Sequence, residues 1–96
     1  MNYAIYKTAV AALEADRKWL SDRLKAFGAG TGPMGLTPDH IKFSRNYRVV
    51  RRAYERTSKA LRNLNQRYAP LFKSEIVREI QERREAGLRE GANANG

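Results

Sequence analysis

Residues 44–71 read SRNYRVVRRAYERTSKALRNLNQRYAPL, and this stretch decides the fold of the chain. Apolar and aromatic residues, with one threonine among them, recur here at alternating steps of three and four, as on one face of an α-helix. The positions of this seam are Tyr47, Val50, Tyr54, Thr57, Leu61, Leu64, Tyr68 and Leu71. The pattern predicts a long helix over residues 38–69 that buries one narrow face.

Both ends of this helix carry specific signals. Thr37 is a good N-cap, and the following Pro38 is favoured in the first turn. Ser44 is a second candidate N-cap, in which case residues 38–42 form a separate short turn. At the other end Pro70 has no amide hydrogen, so it either kinks one long helix or starts a new one.

A third helix is predicted over residues 71–86. Its apolar positions leave the register of the seam, which indicates a change of direction near Pro70. Ser74 could cap this helix, and Gly87 is predicted to end it. Residues 89–96 lack apolar periodicity and are predicted to form a disordered tail.

The first helix, over residues 2–27, is apolar on two sides. Its main seam is Tyr6, Val10, Leu13, Leu20, Leu24 and Phe27, with Arg17 at one position where an apolar residue is expected. A second row, spaced by seven, consists of Ile5, Ala12 and Trp19. A helix of this kind usually packs against two neighbours.

The first two helices are joined by residues 28–36, which read GAGTGPMGL. Four glycines and a proline are typical of a loop. A nucleotide-binding glycine loop follows a strand, whereas this one follows a helix and lacks the Gly-Lys-Ser/Thr sequence. We therefore expect a flexible interhelical connection.

The predicted fold class is all-α, with an antiparallel helical hairpin and a third, C-terminal helix. A chain of 96 residues suits one domain, placed at residues 1–88. Two helices bury little surface, so either the third helix packs on them or two copies associate. The prediction is thus a three-helix bundle or a dimeric assembly of the four-helix type, and the two-sided first helix favours the homodimer.

The charge of the chain is concentrated in the second helix. The formal net charge is +9, and residues 41–69 hold nine basic side chains against the single acid Glu55. Seven cations lie opposite the seam or on its shoulder: Arg45, Arg48, Arg51, Arg52, Arg56, Lys59 and Arg62. Because arginine binds phosphate through two parallel hydrogen bonds, this stripe predicts binding to nucleic-acid phosphates. An acidic protein surface is the other partner that it would fit.

The sequence offers no chemistry that is typical of an enzyme. It contains no cysteine, and its one histidine, His40, has no nucleophile or second metal ligand near it in the pattern. We therefore expect a non-enzymatic binding protein without a cofactor or a metal. It also has no apolar run long enough to span a membrane and no export signal, which predicts a cytoplasmic location.

The alternative function is an accessory protein of the phage or plasmid type. Such a protein would inhibit or adapt a host protein complex, for example a defence nuclease complex, through protein–protein contacts. Trp19 is the candidate anchor for a protein partner or a second copy, and packing on the third helix is its other possible role.

Overall fold

The computed structural model describes the backbone of residues 1–94 and the side chains of residues 1–91. Its helices are α1 (Tyr3–Ala26), α2 (Asp39–Lys42), α3 (Arg45–Tyr68) and α4 (Lys73–Ala94). Two 3-10 segments, Pro33–Gly35 and Ala69–Phe72, lie in the connections, and these described residues contain no strand.

The fold is all-α, as predicted, with α1 packed antiparallel against α3. Tyr6, near the start of α1, donates a hydrogen bond from its hydroxyl to Oδ1 of Asn65, near the end of α3, at 2.7 Å. At the opposite end, the turn after α1 meets α2, where Gly28 lies beside the side chain of Ile41. The buried core residues are Tyr6, Leu24, Tyr47 and Leu61, and all four belong to the two predicted seams.

The helix starts are fixed by short polar side chains. Oδ1 of Asn2 accepts a hydrogen bond from the amide of Ile5 at 2.9 Å, and Oγ of Ser44 accepts one from the amide of Tyr47 at 3.4 Å. Ser44 therefore begins α3, and residues 39–42 form the separate short turn. Thr37 does not cap a helix, because its hydroxyl accepts a hydrogen bond from the amide of Gly30 instead.

The chain bends at Pro70. At about 1.5 Å per residue, the 24 residues of α3 and the 22 of α4 would together span about 69 Å if they were collinear. The longest dimension of the molecule is only 53 Å, so α4 leaves the direction of α3 at the 3-10 segment between them. This bend leaves Leu71 69% exposed, so the last residue of the predicted seam is not part of the core.

An aromatic cluster fills the inner side of this bend. The ring centroids of Tyr3 and Tyr6 on α1 lie 5.5 Å and 5.4 Å from that of Phe72, and Tyr6 is 6.5 Å from Tyr68. Side chains of α1 also reach α4, where Lys7 forms an ion pair of 2.7 Å with Glu79. The start of α1 thus holds α4 at the angle that the bend creates.

Beyond the bend, α4 continues further than the sequence predicted. Gly87 does not end it, and residues 89–94 of the predicted tail are helical, while residues 95 and 96 lie outside the described residues. A glycine inside a helix costs about 1 kcal/mol relative to alanine but creates no clash, so good helix formers around it can carry the helix on. Ser74 lies inside α4 and does not cap it.

The molecule is elongated and its core is thin. Its radius of gyration is 18.8 Å, whereas a compact domain of this length has about 12.5 Å. Every described side chain from Gln81 onward is exposed. A single copy therefore has the predicted hairpin but does not close into a compact bundle.

Candidate nucleic-acid interface

The predicted cations lie on the outer face of α3. The buried side of this helix is marked by Tyr47 and Leu61, which are 6% and 4% exposed. The seven predicted cations all have exposed side chains. At about 100° per residue, five of them form the centre of the face turned away from α1, which we call the basic face: Arg45, Arg48, Arg52, Arg56 and Lys59.

Arg51, on the shoulder, has local partners. Its Nε donates to Oε1 of Glu55 one turn later, at 3.1 Å, and its guanidinium lies 5.7 Å from the ring centroid of Tyr54. Within the described part of the chain, the five residues of the basic face and Arg62 form no ion pair. Their charge is therefore available to an anion from solution.

An apolar residue lies within the basic face, and the sequence reasoning did not single it out. Val49 is 57% exposed. It lines one shallow groove with Arg45, Arg48 and Arg52, and a second with Arg52, Glu55, Arg56 and Lys59. Because long arginine side chains stand beside a short valine, the face has depressions rather than a flat surface. The signal in the sequence is an apolar residue off the seam, on the helix face that the arginines share.

A larger groove opens where the interhelical loop passes the start of α3. Its volume is about 610 Å³, and its wall on the loop side includes Leu36, Thr37 and Asp39. Arg48 and Arg52 of the basic face line the other side. Sequence periodicity could not predict this groove, because it depends on how the loop folds back over the helix.

The loop that forms this wall is held by its own backbone. The amide of Gly32 donates to the carbonyl of Leu36 at 2.7 Å, and Met34 adopts a left-handed φ of 59°. This arrangement turns Met34 and Leu36 outward, at 97% and 67% exposure. The glycine-rich segment therefore presents Leu36 next to the start of the basic face.

Trp19 lies on the surface of α1. It is 62% exposed, and its ring centroid lies 5.7 Å from the guanidinium of Arg23 on the same helix. One of its two predicted roles was packing on the third helix. In the single chain it is exposed and therefore not buried against α4. Arg17 is likewise exposed, at its position in the main seam of α1.

Two further features are absent from the residues that the structure describes. No cluster of three or more His, Cys, Asp or Glu side chains is arranged to hold a metal ion. None of the helices described is both long enough and apolar enough to cross a membrane. Comparison with protein-family models, with curated proteins and with solved structures finds no match.

Proposed function

We propose that this chain is a non-enzymatic binding protein that contacts the phosphates of nucleic acid through the basic face of α3. The observation that carries the proposal is the set of exposed cations without ion pairs on one helix face, opposite the core. A face that serves only hydration normally mixes both signs of charge. Here Glu55 is the only acid on α3, and Arg51 already binds it.

The length of the basic face suits a run of phosphates. From Arg45 to Lys59 the helix rises about 21 Å, at about 1.5 Å per residue. Duplex DNA carries one negative charge per roughly 1.7 Å of its axis, so several phosphates fall within this length. Arginine also offers a planar pair of donors to each phosphate, and four of the five residues of the face are arginine.

Apart from its arginines, which can bind guanine as well as phosphate, the face has few groups that read bases. Bidentate recognition of adenine uses asparagine or glutamine, and α3 has Asn46, Asn63, Asn65 and Gln66. Asn65 accepts the hydrogen bond of Tyr6 and is therefore directed at the core. We therefore propose binding with weak sequence preference, dominated by phosphate contacts.

Fluorescence anisotropy with labelled duplex DNA and RNA tests this proposal. The variant Arg48→Glu/Arg52→Glu reverses two charges at the centre of the basic face. The matched control, Arg84→Glu/Arg89→Glu, makes the same change in net charge at exposed positions of α4. We expect the first variant to lose binding and the second to retain most of it. Equal loss in both would mean that net charge, and not this face, causes the binding.

A protein partner is the second candidate function, and the exposed apolar side chains favour it. Met34, Leu36 and Phe43 are 97%, 67% and 68% exposed, and Leu36 borders the groove beside Arg48. An acidic surface with an apolar pocket would complement this combination. Such a partner fits an accessory protein of the phage or plasmid type that inhibits or adapts a host complex. Absence of nucleic-acid binding even at low salt would favour this function over the first.

A further inference from the structure

A single copy of this chain exposes far more surface than a compact protein of its mass. Its accessible surface is 7702 Å², and a folded monomer of 11.0 kDa exposes about 5,600 Å². The excess, about 2,100 Å², lies in the range that one subunit of an obligate homodimer covers, roughly 1,000–2,500 Å². The surplus is spread over the whole elongated chain, including the exposed end of α4, and it leaves room for a second copy.

The outer face of α1 is the apolar surface that such a contact needs. Away from Tyr6 and Leu24, which pack on α3, it carries the exposed side chains of Ala4, Ile5, Thr8, Ala11, Ala12, Ala15 and Trp19. Ile5 and Trp19 are 54% and 62% exposed. The hydroxyl of Thr8 donates to the carbonyl of Ala4 at 3.0 Å, so this threonine is already satisfied within the helix.

Charge is absent from the first half of this face, whereas Asp16, Asp22 and Arg23 flank Trp19 in the second half. Between Tyr3 and Ala15, the only charged residues of α1 are Lys7 and Glu14, and both lie on another side of the helix. Lys7 is moreover paired with Glu79. The apolar residues of α4 form a poorer surface, because Arg84 interrupts their strip one turn after Ile80.

The pattern of side-chain sizes on this face is self-complementary. Ile5, Ala12 and Trp19 are seven residues apart, so they share one line along α1 with a small residue at its middle. If two α1 helices cross antiparallel with Ala12 on the twofold axis, Ile5 of each copy meets Trp19 of the other. The small Ala12 lets the two backbones approach closely at the centre. An isologous contact requires this kind of symmetry.

The distribution of charge also fits this arrangement. Each copy carries a net charge of +9, so two copies can associate only if their basic faces stay apart. The basic face of α3 is turned away from α1, and contact through α1 stacks the helices in the order α3, α1, α1, α3. With about 8–10 Å between packed helices, the two α3 helices lie far beyond the Debye length of about 8 Å at physiological salt.

We propose that the outer face of α1, with Ile5, Ala12 and Trp19 at its centre line, is a homodimer interface between antiparallel copies of α1. This contact buries α1 on both of its apolar sides and leaves both basic faces outside. It goes beyond the proposed nucleic-acid binding and does not depend on it.

The molar mass in solution tests the interface, by size-exclusion chromatography with light scattering on the full chain. We expect twice the 11.0 kDa of one chain at about 100 µM. Ala12→Glu places two carboxylates against each other on the axis and should give the mass of one chain. Ala60→Glu, the same change at an exposed position of α3, should leave the mass doubled.

The single tryptophan gives a second readout. Trp19 is the only tryptophan of the chain, so its emission reports this face alone. The wild-type emission should shift to longer wavelength on dilution, and Ala12→Glu should show the shifted spectrum at every concentration. Far-UV circular dichroism checks whether the variant is still helical. If it is not, the dilution experiment on the wild type decides.

The register is tested with cysteine, which the natural chain lacks. Oxidation of Ala12→Cys should give a covalent dimer in high yield, because two copies of residue 12 meet on the axis. Oxidation of Ala60→Cys should not. A wild-type protein with the mass of one chain at 100 µM would overturn the proposal. A doubled mass in Ala12→Glu, together with equal crosslinking of Ala12→Cys and Ala60→Cys, would overturn it too.

Discussion

The hydroxyl of Tyr3 donates a hydrogen bond to Oε2 of Glu79 at 2.8 Å, joining α1 to α4 across 76 positions of the chain. The other carboxylate oxygen of Glu79 accepts from Nζ of Lys7 at 2.7 Å. These two bonds lower the pKa of Glu79, Lys7 contributing more than Tyr3. Partial burial, with the bond to Glu79 as the next cause, raises the pKa of Tyr3 to about 12.

Glu79 should therefore make the stability of the chain depend on acid. Because its pKa is lower in the folded chain, its contribution is present above the ordinary value of 4.5 and is lost as the pH falls through the folded value. Glu79→Gln should lower the urea midpoint at pH 7 and have little effect at pH 3. Glu82→Gln, an exposed acid one turn on, serves as the control. A loss of equal size at both pH values would mean that the ionised carboxylate is not the stabilising group.

Leu61 should be a costly core residue to truncate. It is 4% exposed, and Leu→Ala in a core costs about 2–5 kcal/mol, which is a large part of the stability of a domain with so few buried side chains. Leu71→Ala, at a seam position that is 69% exposed, should change stability by only about 0.5 kcal/mol. Chemical unfolding of both variants measures the two losses of stability. Losses of similar size would contradict a bend that begins before Leu71.

Removal of the hydroxyl of Ser58 should stabilise the chain. Its Oγ is buried and has no hydrogen-bond partner among the residues that the structure describes. A buried unsatisfied polar group costs about 1–3 kcal/mol, and alanine also favours the helix. Ser58→Ala should therefore raise the free energy of unfolding by about 1 kcal/mol, measured by urea denaturation. A decrease would show that this hydroxyl makes a stabilising bond in solution.

Gly28 should not tolerate a side chain. Its φ is +99°. A Cβ there would lie 2.6 Å from Cδ1 of Ile41, a residue of α2 against which the loop packs. Gly35 has a similar φ of +74° but open space around it. Gly28→Ala should lower the thermal midpoint more than Gly35→Ala, because only the first variant adds a clash to the backbone strain. Equal effects would assign the whole cost to the backbone conformation.

The helical hairpin could be predicted because the spacing of apolar residues reveals both seams. Tyr47 and Leu61 follow one helical period, and Ser44 carries the cap that begins α3. The end of α4 could not be predicted in this way. Gly87 resembles a stop signal, but helix propensity over the surrounding residues outweighs one glycine when nothing in the packing opposes the helix.

The cations of the candidate interface could also be placed from the sequence, because the face of a helix follows from residue number alone. Two features of the interface could not be predicted from the sequence. Arg51 and Glu55 have the spacing of four that allows an ion pair, but whether the pair forms depends on the side-chain rotamers. The groove between Leu36 and Arg48 depends on left-handed backbone conformations in the glycine-rich loop, which alternation of apolar and polar residues does not encode.

The salt dependence of nucleic-acid affinity tests the central claim most directly. The logarithm of the binding constant should fall linearly with that of the salt concentration, with a slope of about −0.9 per phosphate neutralised, or roughly −4.5 if all five residues of the basic face bind. Arg48→Gln/Arg52→Gln, which removes two charges without reversing them, should make this slope shallower by about 2, while Arg84→Gln/Arg89→Gln leaves it unchanged. A binding constant that does not respond to salt, or a slope equal in the two variants, would contradict phosphate binding by the basic face of α3.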